Sequence, residues 1–274
     1  MLTAQLPPRP LPEGTGRDRT MRRVLVLIAV VCLVLTAGGL AARSIAAGIE
    51  QSRFPEAPAV LAAGSPSSLE VTSSVSDVTV RVSDEVDQVT LALVEQGTDT
   101  VPADPAPVRA RWVRSSHDGT LRVDVQRPRL EATSNWFDDE DRDLLVLVPP
   151  DTAPDLSLAV KADVGNLSAQ GALAGLDLRT RTGDVDADGV SASGSVAART
   201  DIGDIDLALD EDGAHEVSAR TTTGDVSIAL PCCETWDVDA RSEEGSTDVD
   251  AGIRGEGAAL RARTDIGDVS VTRR

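Results

Sequence analysis

Aromatic residues are nearly absent from this sequence, which contains three Trp, two Phe and no Tyr. Val, Leu, Ile and Ala must therefore fill the interior, and these residues suit thin layers of β-structure better than a thick globular core. With only two His and three Cys in 274 residues, no Ser/His/Asp triad and no metal-ligand set is visible. The adjacent Cys232 and Cys233 do not suit a structural bridge, because a disulfide between neighbours is strained. Their role stays open.

Positive charge is scarce and unevenly placed. Lys161 is the only lysine, and the formal net charge is -19. Residues 1–43 carry six Arg against Glu13 and Asp18, which leaves 20 basic and 43 acidic residues in 44–274, a net charge of -23. So negative a segment repels nucleic acid and anionic lipid surfaces. Direct binding of DNA or RNA is therefore excluded as a main function.

One apolar run stands out near the N-terminus. Residues 24–42, "VLVLIAVVCLVLTAGGLAA", carry no charge and approach the length of about 20 residues that spans a bilayer as a helix. Arginines crowd its N-terminal side, so the positive-inside rule predicts a cytoplasmic N-terminus and an extracytoplasmic C-terminal domain. A cleavable signal peptide starting at Met21 is the alternative, although the run exceeds a typical secretory h-region. Residues 1–23 are expected to be a disordered cytoplasmic tail and residues 43–68 a linker.

A repeat occupies the C-terminal half. Its basic residue, taken as position zero, recurs at intervals of 18, 20, 21, 21 and 22 residues as Lys161, Arg179, Arg199, Arg220, Arg241 and Arg263. Four positions later stands a glycine in every copy: Gly165, Gly183, Gly203, Gly224, Gly245 and Gly267. The next residue is Asn166, Asp184, Asp204, Asp225, Ser246 or Asp268. A degraded earlier copy, "VTSSVSDVTVRV", places Thr72, Ser76 and Asp77 at the same offsets.

Apolar residues alternate with period two on both sides of each Gly-Asp pair, which predicts strand, tight turn, strand in every unit. A unit of about 20 residues cannot bury its own apolar edge, whereas stacked units bury a continuous column. The predicted fold is all-β: a β-solenoid, right-handed and parallel, with coils of about 20 residues. An antiparallel meander or sandwich built of hairpins is the rival.

The predicted organisation has regular solenoid repeats over 151–274, preceded over 69–150 by irregular coils or a cap, which protects an open strand edge. Successive coils are expected to stack in sequence order. The last motif, followed only by "VTRR", would then lie at the C-terminal edge, with Arg273 and Arg274 blunting it.

Together the N-terminal anchor, the "SDVTVRV" opening, the "LLVLVPP" strand and the "TGDV" and "IGDI" turns resemble the bacterial putative-adhesin β-strand-repeat domains, a family of unknown function. The resemblance covers roughly 69–274. It implies a membrane-tethered, envelope-exposed β-solenoid and supplies no catalytic residues. The acidic insertion "NWFDDEDRD" and the copy with Ser246 depart from the pattern.

Three groups of residues are candidates for chemistry. Stacking would bring Asp184, Asp204 and Asp225 to about 4.8 Å spacing, where they could bind Ca²⁺ or serve as paired acids, although a turn-capping role explains each copy separately. Arg199 and Arg220 could bind anionic glycans or neutralise nearby Asp. The third group is a possible partner-contact or Ca²⁺-binding loop, formed by Trp136, Phe137, Asp138 and Asp139.

Three functions remain open. The first is a non-catalytic, membrane-anchored envelope protein, an adhesin or scaffold that binds a glycan, a protein or another copy and needs no cofactor. The second is an envelope enzyme that acts on polysaccharide through the Asp column. The third is a signalling accessory that senses envelope state.

Overall fold

The computed structural model describes residues 55–102, 105–126, 142–210, 214–232 and 234–274. Strands dominate these ranges, as the period-two alternation predicts. The N-terminal strands are Glu56–Ala57 (β1), Val60–Gly64 (β2), Ser68–Val75 (β3), Val78–Val82 (β4), Val89–Glu95 (β5), Val108–Arg109 (β6), Arg111–His117 (β7), Thr120–Gln126 (β8) and Arg142–Val148 (β9). After a 3-10 turn at Ala153–Asp155 come Ser157–Val164 (β10), Leu167–Leu173 (β11), Gly175–Thr182 (β12), Val185–Ala192 (β13), Ser195–Arg199 (β14), Ile205–Leu209 (β15), Glu216–Thr223 (β16), Val226–Leu230 (β17), Trp236–Glu244 (β18), Thr247–Val249 (β19), Ala258–Ile266 (β20) and Val269–Arg273 (β21).

Two facing sheets contain nearly all of these strands. The nine-stranded sheet has the order β18-β20-β16-β14-β12-β10-β3-β8-β7, and the ten-stranded sheet has the order β19-β21-β17-β15-β13-β11-β4-β9-β5-β2. The two strands of each repeat lie in different sheets and pair in parallel with the equivalent strands of neighbouring repeats, so that Ile205 lies beside Val226. The predicted β-solenoid of stacked parallel coils is confirmed, and the hairpin alternative is wrong.

Eight coils follow one another along the stack, each with one strand in either sheet. We number them in spatial order: coil 1 (β8, β9), coil 2 (β3, β4), coil 3 (β10, β11), coil 4 (β12, β13), coil 5 (β14, β15), coil 6 (β16, β17), coil 7 (β20, β21) and coil 8 (β18, β19). The degraded copy forms coil 2 in the predicted register, because Thr72 pairs with Lys161. Antiparallel strands are added beyond coil 1, where β7 pairs with β8 and β5 pairs with β9.

The order of coils in space departs from their order in the chain at both ends. Coil 2 precedes coil 1 in sequence, and coil 8 precedes coil 7. The expectation that the last motif lies at the edge is therefore wrong: β20 is paired on one side with β16 and on the other with β18. Arg274 does not blunt an edge strand but reaches the carboxylate of Asp188 at 2.9 Å.

The true C-terminal edge is coil 8, and the connection from coil 8 to coil 7 covers part of it. The amide of Trp236 donates to the carbonyl of Ile253 at 2.7 Å, and the amide of Gly255 donates to the carbonyl of Trp236 at 2.9 Å. The Arg254 side chain donates to the carbonyl of Val238. Trp236 and Ile253 are both buried, so this connection acts as the end cap.

Small aliphatic side chains fill the space between the two sheets, as the composition predicts. Equivalent residues stack, for example Val185, Ile205 and Val226, which are at most 1% exposed. A smaller apolar cluster lies on the other face of the ten-stranded sheet and comprises Ala92, Val94, Leu145 and Leu147. Part of segment 43–68, which was predicted to be a linker, is folded. Residues 56–57 and 60–64 are strands, and Ala59 and Ala63 lie in the core.

Because coil 7 lies between coils 6 and 8, equivalent substitutions in coils 7 and 8 are expected to lower the free energy of unfolding by different amounts. Val271 and Val249 occupy the same repeat position on paired strands, but Val271 is fully buried between two coils whereas Val249 is only partly buried. We expect Val271→Ala to lower the free energy of unfolding by about 2 kcal/mol and Val249→Ala by about half as much or less. Urea unfolding would measure both, and a larger loss at Val249 would contradict the observed coil order.

Candidate functional site

The repeated glycine lies where successive coils come closest. From Gly165 to Gly267 its φ angles fall between 139° and 154°, a region that favours glycine. A Cβ atom on Gly203 would lie 2.1 Å from the carbonyl oxygen of Gly183 in the coil before it. The same approach recurs from Gly203 to Gly224 and from Gly224 to Gly267. The glycine is therefore required by the contact between coils as well as by the turn.

The carboxylates after each glycine form a ladder that links the coils. Oδ1 of Asp184 accepts the backbone amide of Asp204 at 2.9 Å, and Oδ1 of Asp204 accepts that of Asp225 at 2.8 Å. The ladder begins at Asp77 and continues through Asn166. It continues beyond Asp225 to Asp268, and Asp268 accepts the amide of Ser246 at 2.7 Å. The predicted stacking of Asp184, Asp204 and Asp225 is confirmed, but each carboxylate serves the next coil and not its own turn.

The departure at Ser246 has a positional cause. Ser246 belongs to coil 8, so no later coil presents an amide to it, and a carboxylate there would have no ladder bond to make. Hydrogen bonds from the amide and the hydroxyl of Ser246 lower the pKa of Asp268 below its usual value. What looks like a weak copy in the sequence is the terminus of the ladder.

A second ladder runs inside the stack, one residue after position zero. The hydroxyl of Thr200 donates to the carbonyl of Gly183 at 2.9 Å, and that of Thr221 donates to the carbonyl of Gly203 at 2.9 Å. Thr180, Thr264 and Ser242 make the equivalent bond. Buried hydroxyls need such partners. Sequence analysis missed these residues, although "RT" recurs before four of the six turns and was a signal for them.

These ladders limit what the Asp column does chemically. One oxygen of each carboxylate from Asp77 to Asp268 is already an acceptor for a backbone amide. Among the described residues, no three His, Cys, Asp or Glu side chains lie close enough together to hold a metal ion. The column is accounted for by its structural role.

The position-zero cations form a column on the outer face of the nine-stranded sheet, where Arg199 lies between Arg179 and Arg220 on paired strands. Most of the column is neutralised by nearby acids. Arg179 makes a two-pronged contact with Asp177 at 2.8 and 2.7 Å, and this contact raises the pKa of Arg179. The partner of Arg179 is an acid two residues earlier on the same strand and not a ladder Asp. Of the two residues for which neutralisation was predicted, Arg220 approaches Asp265 at 3.8 Å, and this acid also lies outside the ladder.

Other members of the column share acids between coils. Lys161 bonds Glu70 of the neighbouring coil, which lowers the pKa of Glu70. Arg263 and Arg241 both contact Asp239, at 2.6 and 2.7 Å, and the bond from Arg263 is the main cause of the lowered pKa of Asp239. The cations of these pairs are substantially exposed, so the pairs add little to stability.

Arg199 breaks this pattern. Within the described part of the chain it makes no ion pair: Ala197 stands two residues earlier, and the acid at that position in the neighbouring coil 4, Asp177, is engaged by Arg179. A shallow depression of about 310 Å³ opens beside it on the sheet surface. Charged side chains dominate its lining: Lys161, Asp163, Arg179, Arg181, Arg199 and Asp201.

Several predicted features lie elsewhere. The candidate contact residues Trp136, Phe137, Asp138 and Asp139 fall outside the described residues, as do Cys233 and the predicted span 24–42. Cys232 is exposed. Within the described ranges no helix is long and apolar enough to cross a membrane.

The stacked Gly turns and the two ladders define a β-solenoid repeat domain whose motif serves contact between coils. Residues 169–272 match the model of the family described as Toastrack DUF4097, which confirms the predicted resemblance to a β-strand-repeat family of unknown function.

Three solved structures are similar to this chain. A putative cell adhesion protein from Clostridium sporogenes is 8% identical with a TM-score of 0.42, and 80% of this chain and 100% of that one are covered. A putative adhesin from Bacteroides fragilis is 13% identical with a TM-score of 0.41, covering 80% and 97%. A putative lipid binding protein from Parabacteroides distasonis is 11% identical with a TM-score of 0.22, covering 78% and 95%. No curated protein matches the chain.

The Asp ladder predicts that the shape of the side chain matters more than its charge. Asp204→Ala removes the acceptor for the amide of Asp225, and we expect a loss of about 1 kcal/mol in unfolding free energy. Asp204→Asn keeps an acceptor oxygen, as Asn166 does in the same ladder, and is expected to change stability by less than about 0.5 kcal/mol. Asp237→Ala, at an exposed site outside the ladder, serves as the control. Equal losses for Ala and Asn at 204 would show that charge, not the hydrogen bond, matters.

Ionised Asp206 is expected to lower the stability of the fold, in contrast to the ladder carboxylates, and this effect should depend on pH. Partial burial, together with repulsion from Asp186, Asp204 and Asp184, raises the pKa of Asp206 above 3.8, despite a hydrogen bond from Ser227. The ionised carboxylate therefore destabilises the folded state above this pKa, and the cost disappears below pH 3.8, where folded and unfolded forms are both protonated. Because the site is exposed, we expect Asp206→Asn to stabilise the protein by only a few tenths of a kcal/mol at pH 7.

Chemical unfolding of the Asp206→Asn variant at pH 7 and near pH 3.5 would measure this change. Asp248→Asn is the matched control, because Asp248 holds the same repeat position opposite Ser270 and not opposite another Asp. A benefit of Asp206→Asn that persists unchanged in acid would contradict the electrostatic explanation.

Proposed function

We propose that this chain is a non-catalytic, membrane-anchored extracytoplasmic binding protein of the bacterial cell envelope, with an adhesin or scaffold role. Residues 24–42 are its single transmembrane helix, the N-terminus is cytoplasmic and the solenoid lies outside. The crossover rule for parallel strands favours right-handed coils.

The observation that carries this proposal is the structural use of the repeated residues. The Gly, Asp and Thr of the motif are all engaged between coils, whereas the column from Lys161 to Arg241 presents a charged side chain in each of coils 3 to 8. A regular exposed array suits a partner that is itself repetitive, such as an envelope polymer or another copy of the chain.

The alternative of a polysaccharide-acting enzyme depends on the Asp column. The ladder bonds of Asp184, Asp204 and Asp225 favour a structural role over paired-acid chemistry, because an active site is normally unique and these bonds recur in coil after coil. The alternative of a signalling accessory depends on the tail, and deletion of residues 1–20 with a transcriptional readout tests it.

The proposed topology is tested with the full chain carrying a C-terminal epitope in a bacterial host. We expect the epitope in the membrane fraction and its removal by protease added to intact spheroplasts. A variant lacking residues 24–42 is the control and should leave the membrane fraction. An epitope that is digested only after lysis would overturn the proposed location.

A further inference from the structure

Arg199, which lines the depression, differs from the neighbouring cations of the column in that no ion pair within the described ranges neutralises its charge. Arg179 on one side is paired with Asp177 at 2.7 Å, and Arg220 on the other approaches Asp265 at 3.8 Å. Arg199 lies between them and makes no ion pair in the described part of the chain. Coil 5 carries Ala197 where coil 4 carries Asp177, and Asp177 is engaged by Arg179. An exposed guanidinium without a partner keeps all its donors for a ligand.

The backbone of coil 5 also differs at this point. Strand β14 ends at Arg199, whereas its neighbours β12 and β16 continue through Thr182 and Thr223. The chain bends at Asp201 before the next pairing at Ile202. This interruption of an otherwise continuous sheet coincides with the depression, which Asp201 also lines.

The carboxylates in the depression add acceptors to these donors. Asp163 contacts Arg181 at 3.3 Å. Asp201 makes no side-chain ion pair within the described ranges, so that its oxygens remain acceptors for hydroxyl groups. The site therefore offers an unpaired bidentate cation with a carboxylate two residues away, which suits a ligand that combines an anionic group with hydroxyls.

The size and lining of the depression narrow the ligand class. Its volume of about 310 Å³ is at the lower end for small-molecule sites. No aromatic side chain is among its lining residues, so the ring of a neutral sugar finds no stacking surface there. Specificity must come from ion pairs and hydrogen bonds. Because coils repeat at about 4.8 Å, a polymer with regularly spaced anionic groups is able to continue onto Arg179 or Arg220.

We propose that this depression is a binding subsite for an acidic sugar residue of an envelope polysaccharide, with its carboxylate on Arg199 and a hydroxyl on Asp201. The inference rests on the proposed function and deepens it by naming the ligand class. The negative charge of the domain opposes this binding less than it opposes nucleic acid, because salt screens charges farther away than about 8 Å and the subsite holds a single carboxylate directly on Arg199.

The test measures binding to the purified full chain in neutral detergent by calorimetry. The probe is tetragalacturonate, and its methyl ester is the matched control with the same rings and hydroxyls but no charge. We expect saturable binding of the acid and affinity at least tenfold lower for the ester, since the ester lacks the charge that strengthens hydrogen bonds to Arg199.

Two variants assign the binding to the depression. Arg199→Ala is expected to weaken tetragalacturonate binding about tenfold or more. Arg261→Ala is the control, because Arg261 pairs with Glu216 on the same sheet but does not line the depression, and it should leave affinity unchanged. Unfolding curves of both variants should match that of the parent, since both arginines are exposed.

The outcomes separate the two proposals. Equal affinity of the parent and Arg199→Ala, or equal binding of acid and ester, would overturn the subsite while leaving the membrane topology result intact. Binding of inorganic phosphate through Arg199 without binding of tetragalacturonate would overturn the saccharide class. A cytoplasmic epitope in the spheroplast experiment would overturn the proposed function whatever the binding result.

Discussion

Close contact between equivalent turns is the constraint on which the rest of this structure depends. The carbonyl oxygen of Gly183 lies 2.1 Å from where a Cβ of Gly203 would be, so coils 3 to 8 approach fully only if each keeps its glycine. That approach brings the amide of Asp204 within reach of the Asp184 carboxylate and the Thr200 hydroxyl within reach of Gly183. Turn, Asp ladder and Thr ladder therefore form one cooperative unit that repeats from coil to coil.

Within the motif, the residues that hold the coils together occupy different positions from the residues that face solvent. Residues that point toward another coil are the same in nearly every copy, because each meets the same neighbour. Residues that point to solvent vary, and the position two before the basic residue changes from Asp177 to Ala197 between adjacent coils. A specific site on a repetitive solenoid is therefore expected where one coil differs from its neighbours on the outer face. The depression beside Arg199 lies at such a position.

The order of the coils in space is exchanged relative to their order in the chain at both ends of the stack. Coil 2 is placed inside coil 1, and coil 7 inside coil 8, although each inner coil is farther from the middle of the chain in sequence. The connection that returns to the inner position at the C-terminal end packs Ile253 over the outermost strand and bonds its backbone. The last strand of the chain, β21, is thereby held between β17 and β19, and the C-terminal edge belongs to coil 8. At the opposite end the edge strands are β7 and β2, which lie beyond coil 1.

The sequence by itself determined the all-β class, the register of six glycines and the alternation that fills the core, because these depend on local periodicity that every copy repeats. It also placed Thr72 and Asp77 correctly, since their offsets match. Tertiary structure alone decided that coil 7 lies inside coil 8, because all coils offer nearly the same edge and local pattern does not distinguish which edges meet. For the same reason only the structure explains Ser246, which ends the ladder in space but not in sequence. The sequence named Arg199 as a candidate, but only the structure shows that it makes no ion pair in the described ranges, because ion pairing depends on which side chains stack beside it.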